Sequence, residues 1–292
     1  MTTSTDTATS NRTHRRPPSA ARGHALAGPV RQGSHAVRTR RHDIAALPAA
    51  LHSENIKLTT LRSNTAIAVL TGLIGLLATW ATAALVTDEV LTVAQAFVYT
   101  TFLTAVIAAI TAILTFTSEV QHGTLNQSLT AQPARWVIVA AKTVMAIRIG
   151  VVLGAIGMVT GAAGAALGGL ALGDAGSMAG TAAWALTFTA LASVLGLGVG
   201  MIVRHSAAAI SGLIVWWLVV ENLLWAFLPE TVSRFLPFYA GGALLGIEVD
   251  TATPETIAVA LSRTQDALVF GGYAALALVI GALLLYRRDA SQ

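Results

Sequence analysis

Ionisable side chains that could do chemistry are few in this sequence, and they lie at the edges of long apolar runs. Only two lysines occur, Lys57 and Lys142, and neither follows the glycine pattern of a phosphate-binding loop. The seven histidines show no metal-ligand spacing, and cysteine is absent, which excludes thiolate metal sites and disulfides. We therefore predict that this chain catalyses no reaction and binds no cofactor or metal of its own.

The composition indicates a membrane protein. Of the 292 residues, 54% are hydrophobic and only 11% are charged, whereas soluble domains carry about 25% charged residues. A helix needs about 20 mostly apolar residues to cross the hydrocarbon core. Six segments meet this length, so we predict an all-α polytopic membrane protein with spans at Ala66–Val86, Val93–Phe116, Ile149–Leu172, Gly180–Val203, Ser206–Leu228 and Ala267–Tyr286.

The distribution of basic residues predicts the orientation of the spans. If the N-terminus lies inside, 16 of the 18 Lys and Arg residues fall on the inner side, and only Arg234 and Arg263 fall on the outer side. Membrane proteins retain basic loops in the cytoplasm. We therefore predict a multi-pass plasma-membrane protein with both termini in the cytoplasm, residues 287–292 forming a short C-terminal tail.

The first 51 residues are basic and poor in large apolar side chains. Their arginines are scattered and lack the interleaved aromatic residues of a nucleic-acid platform. We predict a disordered cytoplasmic tail with no nucleic-acid partner. Attraction to anionic lipid is one alternative. A transit peptide is another, although the same Ala- and Arg-rich composition extends along the whole chain.

Small residues recur at four-residue spacing in the third predicted span, at Gly157, Gly161, Ala165 and Gly169. Such ridges allow helix backbones to approach closely. They predict tight packing, either within the bundle or between two protomers.

A long polar segment, residues 116–148, separates the second and third spans on the predicted inner side. Gly123 allows a bend, Leu125 and Leu129 share one helical face, and Pro133 ends that short helix because its ring cannot continue the hydrogen-bond ladder. Arg135 and Lys142 then lead into the next span. The pattern predicts a short helix lying under the membrane, and the alternative is an ordinary hairpin loop with snorkelling bases.

A second polar element precedes the first span. Ser53 is a suitable N-cap for a helix within residues 52–65, in which Leu58 is apolar and Glu54, Lys57 and Arg62 are charged. This pattern is typical of a helix in the plane of the membrane interface, in contact with lipid. The alternative is a plain extension of the first span.

Glu221 is an ionisable residue inside the predicted fifth span, where charge is unfavourable and often functional. It either bonds backbone groups where that helix ends or relays protons. Trp216 and Trp217 lie near mid-bilayer, either packing the core or lining a path for an apolar substrate. Pro229 and Pro237 punctuate the outer segment that follows, which is apolar enough to dip back into the interface.

Three sets of residues together resemble the permease subunit of ABC-2 type ABC transporters, over residues 52–286. The first is Glu54, Lys57, Leu58, Thr60, Arg62 and Ser63 before span one. The second is Glu119, Gly123, Thr124, Leu129, Pro133, Arg135 and the Ala140-Ala141-Lys142 triplet after span two. The third is Glu221-Asn222 with Phe235, Pro237, Ala240 and Gly241 near and after the end of span five.

The resemblance implies that the helix after span two is a coupling helix, which sits in a cleft of a separate ATPase subunit. Glu119, Gly123, Thr124, Leu125 and Leu129 would lie at that contact, and Pro133, Arg135 and Lys142 would shape its exit. It also implies short re-entrant helices after span five. The short helix carries few charges, which favours apolar contact through the two leucines.

The sequence therefore predicts the permease subunit of an ATP-driven exporter of a lipophilic or amphiphilic substrate. Its expected partners are two copies of an ATPase, which would bind ATP and magnesium, and a second permease subunit, identical or related. One alternative is a proton-coupled secondary carrier or channel that depends on Glu221. The other is a membrane scaffold without transport activity.

Overall fold

Runs of Ala, Leu, Val and Gly form helices throughout the described part of the chain, because a helix satisfies its own backbone hydrogen bonds without water. The structure is a computed structural model that describes residues 33–60, 62–85, 93–125, 130, 134–170, 175–246 and 260–288. Within these ranges there is no β-strand.

Ten α-helices follow one another along the described part of the chain. Their bounds are α1 Gly33–Thr60, α2 Arg62–Leu85, α3 Val93–Gln121, α4 Arg135–Leu167, α5 Ala175–Val203, α6 Ser206–Val215, α7 Glu221–Phe227, α8 Glu230–Ser233, α9 Pro237–Leu244 and α10 Arg263–Arg288. A π-helical turn, Trp216–Val220, joins α6 to α7, so that residues 206–227 form one continuous rod.

Six of these helical segments are long and apolar enough to cross a membrane, which confirms the six predicted spans and the all-helical class. The third span differs most from its predicted bounds, since α4 begins at Arg135 rather than Ile149. Its 33 residues correspond to about 50 Å at 1.5 Å per residue, which exceeds a hydrocarbon core of about 30 Å. The charged first turns of α4 therefore belong to the same rod as the apolar span.

The chain divides into two units, residues 1–40 and residues 41–292. Of the first unit, only residues 33–40 are described, and they are helical. Residues 33–51, which we predict to be disordered, thus belong to α1, and residues 1–32 lie outside the described residues. Pro48 is accommodated within α1.

Glycine positions account for the close packing of the third span against the first and fourth spans. A Cβ at Gly150 would collide with the backbone of Thr189 in α5, and one at Gly164 would collide with Leu76 in α2. The Thr79 hydroxyl donates to the buried carbonyl of Gly161 at 2.8 Å and links α2 to α4. The small-residue ridge of the third span is thus used for packing within the chain.

Short helices cover the end of the bundle that is predicted to face outward. α8 and α9 follow the fifth span, and α9 is largely buried against α5 and α10. α10 then begins with a capping box, in which the Ser262 hydroxyl accepts from Gln265 N–H and the Gln265 side chain accepts from Ser262 N–H. α9 thus holds part of the chain after the fifth span against the bundle.

Candidate functional site

Four charged residues from three helices meet in a closed ring on the predicted cytoplasmic side. Lys57 Nζ lies 2.8 Å from Glu54 Oε1 and 2.9 Å from Glu119 Oε1. Lys142 Nζ lies 2.8 Å from Glu119 Oε2 and 3.3 Å from Glu54 Oε2. Each carboxylate therefore offers one oxygen to each lysine. We call these four residues the charge ring.

The charge ring is neutral, and this neutrality allows it to be covered by protein. The side chain of Lys142 is only 3% exposed, and a charge so deeply buried is stable only when it is paired. Burial lowers the pKa of Lys57, but the hydrogen bonds and charges of Glu54 and Glu119 outweigh it, so that this pKa lies above its ordinary value. Lys57 therefore stays an ammonium group at neutral pH.

The charge ring joins the helix before the first span to both ends of the long polar segment. Glu54 and Lys57 belong to α1, Glu119 to the last turn of α3 and Lys142 to the third turn of α4. Sequence reasoning placed Glu119 at a partner contact and Lys142 at the exit of the coupling helix. In the structure both side chains are paired inside the chain, and their predicted roles at an ATPase contact stay predictions.

Further contacts hold α1 on the bundle beside the charge ring. The Arg148 guanidinium of α4 donates to the Asn55 side chain of α1. Leu58 packs against Ile149 and Leu153 of α4 in a small apolar cluster. Arg62 begins α2, and its side chain lies outside the described residues. The part of α1 next to the ring is thus fastened to the third span by apolar, polar and ionic contacts.

The segment between α3 and α4 begins with a sharp turn. Gly123 has a φ of +72°, in the left-handed region that glycine adopts without strain, and it ends α3. Thr124 is exposed, and its hydroxyl donates to the Glu119 carbonyl at 3.4 Å. Thr124, Leu125 and Thr130 are helical, whereas Leu129 and Pro133 lie outside the described residues.

Leu125 occupies a position that the sequence pattern did not reveal. It is 5% exposed and packs in an apolar cluster with Phe116, Met201 and Leu285. Its side chain therefore anchors the segment to the bundle, and the predicted contact of Leu125 with a partner stays a prediction. Among the described residues between α3 and α4 and at the end of α3, the exposed ones are Gln121, His122, Gly123, Thr124 and Thr130.

Arg135 begins α4 and reaches the end of the last span. Its Nη1 donates to the carbonyl of Tyr286 at 2.9 Å and to that of Leu285 at 3.2 Å. These carbonyls belong to the last turn of α10, where helical partners are lacking and positive charge is favourable. Arg135 is therefore a C-terminal cap for the sixth span.

Glu221 lies on the opposite end of the bundle and caps another helix. The N-cap of α9 is Leu236, whose apolar side chain cannot accept a hydrogen bond. The backbone N–H of Tyr239 donates to Glu221 Oε1 at 2.6 Å, and the N–H of Phe238 also donates to this carboxylate. Glu221 does bond backbone groups, as we predicted for its structural alternative, but those of α9 rather than the end of its own helix.

Aromatic rings surround Glu221. Trp217 stacks on Phe102 of α3 with ring centroids 5.7 Å apart, whereas Trp216 is exposed at the surface of the fifth span.

Pro229 is the N-cap of α8, and Pro237 occupies the first turn of α9, where its fixed φ suits helix initiation. Of the five residues singled out in and after the fifth span, only Trp217 and Glu221 line a common cavity.

Sequence reasoning missed several participants of both regions. Asn55 and Arg148 carry no pattern that pairs them, and Phe102, Phe238 and Tyr239 are ordinary aromatic residues in apolar segments. A signal did exist for the charge ring, because the only two lysines and two of the few acids border the same polar segments. Charges of opposite sign at the rim of a bundle tend to pair.

No protein-family model matches this sequence, and no curated protein matches it. The likeness to ABC-2 permeases accordingly depends on the three sets of residues and on what their geometry supports.

Proposed function

We propose that this chain is the permease subunit of an ATP-driven ABC-2 type exporter, located in the plasma membrane with both termini in the cytoplasm. In this proposal, two copies of a separate ATPase hydrolyse ATP, and two permease subunits, identical or related, carry the substrate. The observation that supports it most is the charge ring, since all four of its members belong to the motifs that resemble this family.

The charge ring supplies a physical route from the polar segment to the spans. Glu119 and Lys142 lie near the two ends of the polar segment and pair with each other. Both are also paired with α1, which precedes the first span. A force applied to the exposed surface of the segment would therefore act on α1, α3 and α4 together, because the charge ring joins these three helices. This is the mechanical property that a coupling element requires.

The contact with an ATPase is assigned to the exposed side of the segment. His122 and Thr130 are exposed on it, whereas Leu125 faces the bundle. A partner that grips this segment would therefore contact the turn at Gly123 and the residues around it. The proposed contact thus differs from the one predicted from the sequence in that it leaves out Leu125.

The test is co-purification of the full chain from its native membrane in mild detergent. We expect an ATPase with a phosphate-binding loop to accompany the wild type and to be lost from the variant His122→Trp/Thr130→Trp. The matched control is Ala207→Trp, which places the same bulk on an exposed residue at the start of α6. An ATPase that stays with all three proteins, or that never appears under several mild conditions, would contradict the proposed coupling contact.

The alternative of a proton-coupled carrier is favoured by one observation, the burial of Glu221 within a span. A carrier would transport its substrate in vesicles that contain this chain alone, and Glu221→Gln would abolish that transport. The exporter proposal predicts no transport without the ATPase, so reconstitution with and without ATP and the ATPase distinguishes the two functions.

A further inference from the structure

A cavity of about 300 Å³ lies between the fifth span, α3 and α9. Its wall combines the aromatic side chains of Phe102, Trp217, Trp225, Phe238 and Tyr239 with the carboxylate of Glu221. Trp225 is 55% exposed, so the cavity opens at the surface of the fifth span. Small-molecule sites are concave and mostly apolar, with a few placed polar groups, and their volumes begin near about 300 Å³.

The fold uses only part of the hydrogen-bonding capacity of the Glu221 carboxylate. The residue is 4% exposed, and its Oε1 accepts from the N–H of Tyr239. The N–H of Phe238 also donates to the carboxylate and the indole of Trp216 lies near it, but Oε2 is buried and no donor of the described residues reaches it in hydrogen-bond geometry. No lysine or arginine of the described chain forms an ion pair with it. In its ionised form, a buried acid without a basic partner sets up an uncompensated negative field in the cavity wall, and a bound cation favours that form.

The aromatic rings around the cavity suit a cation with an apolar body. Trp217 stacks on Phe102 and lies with its ring centroid 5.8 Å from that of Phe238, so three rings form a continuous surface. The negative faces of such rings attract organic cations, most strongly where water is excluded. A carboxylate close behind them strengthens that attraction, because Coulomb interactions are strong in a medium of low dielectric constant.

We infer that this cavity binds organic monocations, such as quaternary ammonium compounds that carry an aromatic or aliphatic group. An anion would be repelled by Glu221, and a neutral ligand would gain only the apolar contacts. A ligand of this kind partitions into the bilayer and reaches a cavity that opens on an apolar helix surface. The inference deepens the proposed function, since it names the substrate class that the exporter would carry.

The experiment measures binding of tritiated benzyltrimethylammonium to the purified full chain in a neutral detergent. We expect saturable binding that Glu221→Gln weakens at least tenfold. Glutamine keeps an oxygen for the N–H of Tyr239, so α9 keeps its cap, and an unchanged melting temperature would verify this. Neopentylbenzene is the uncharged carbon analogue of the probe. On the wild type we expect it to compete at least tenfold less well than the unlabelled cation, and on Glu221→Gln we expect the two competitors to be similar.

The matched control is Glu230→Gln, which removes the same charge from an exposed position on the neighbouring helix α8 and should bind like the wild type. A second variant, Trp225→Leu, changes an exposed wall residue outside the core and should weaken binding several-fold even if Glu221→Gln folds poorly. The inference is overturned if the wild type shows no saturable binding. It is equally overturned if Trp225→Leu and a folded Glu221→Gln bind like the wild type, or if the neutral analogue competes as well as the cation.

This experiment needs no ATPase, so its outcome is independent of the co-purification test. Cation binding without a co-purified ATPase would support the cation site and contradict the proposed exporter. A co-purified ATPase without cation binding would support the exporter and contradict the cation site.

Discussion

Lys142 Nζ lies 2.8 Å from Glu119 Oε2, and this contact joins the last turn of the second span to the helix that carries the third. Both residues also pair with α1, through Glu54 and Lys57. The two ends of the long polar segment are therefore held together by charge at the point where they meet the bundle. Several expected outcomes depend on this geometry.

Removal of the buried lysine should destabilise the protein strongly. Lys142→Met leaves Glu119 and Glu54 with only Lys57 between them, and deleting one partner of a buried pair costs about 3–5 kcal/mol. We expect a clear fall in the melting temperature of the purified protein in detergent. The control Arg287→Met removes an exposed base from α10 and should leave the melting temperature unchanged. Equal melting temperatures for Lys142→Met and the wild type would contradict the charge ring.

The contribution of Lys57 should be insensitive to pH in the physiological range. Its folded pKa lies above the ordinary value, so its stabilising effect is complete below that ordinary value of about 10.4 and is lost as pH rises through the folded pKa. The difference in melting temperature between the wild type and Lys57→Met should therefore stay constant from about pH 6 to 9. It should shrink only above about pH 10.4. A difference that disappears between pH 6 and 9 would show that Lys57 is not paired as described.

Leu125 and His122 should respond differently to the same substitution. Leu125→Asp places a charge in the apolar cluster with Phe116 and Met201, where an unpaired ion is strongly unfavourable. We expect this variant to aggregate or to melt well below the wild type in size-exclusion and thermal assays. His122→Asp, three residues earlier and exposed, should keep the wild-type melting temperature. Similar behaviour of the two variants would place Leu125 outside the core.

Arg135 should hold the end of the last helix. Arg135→Ala removes the donor to the carbonyls of Leu285 and Tyr286, and a cationic cap of this kind is worth about 1 kcal/mol. Hydrogen exchange should become faster for the amides of the last turn of α10 and stay unchanged in its middle. Arg135→Lys should restore part of the protection, because it keeps the positive charge. Unchanged exchange in Arg135→Ala would contradict the cap.

Glu221→Ala and Glu221→Gln should separate the two roles of this residue. Alanine leaves the N–H of Tyr239 without an acceptor, and an unsatisfied buried donor costs about 1–3 kcal/mol. Hydrogen exchange of the α9 amides should therefore be faster in Glu221→Ala than in Glu221→Gln. If both variants protect α9 equally well, the cap is not formed by this side chain.

The extent of the third span illustrates where sequence reasoning stops short. Lys142 and Arg148 led to a predicted start at Ile149, because charged residues normally lie outside the hydrocarbon core. In the structure, both are side chains of one helix that begins at Arg135. Hydropathy measures which residues avoid water, whereas a helix can continue through charged residues whose side chains have partners. Lys142 is paired in the charge ring, and Arg148 donates to Asn55.

The polar segment shows a second limit. Its turn at Gly123 and the grouping of charges around it could be read from residue types. The residue types did not show where the Leu125 side chain points, because an i, i+4 pair of leucines fits equally well against a partner protein or against the chain's own bundle. Contacts with Met201 and Leu285, which are far along the chain, decide the matter.

The sequence by itself determined the number of spans, the all-helical class and the identity of the charged residues at the rims, because hydropathy and charge are local properties. Only the tertiary structure decided which charges pair and which face of each helix is covered. Glu54, Lys57, Glu119 and Lys142 form a ring because the packing of α1, α3 and α4 brings distant segments within hydrogen-bond distance. Likewise, Glu221 caps α9 because a helix start without an acceptor of its own packs against the fifth span.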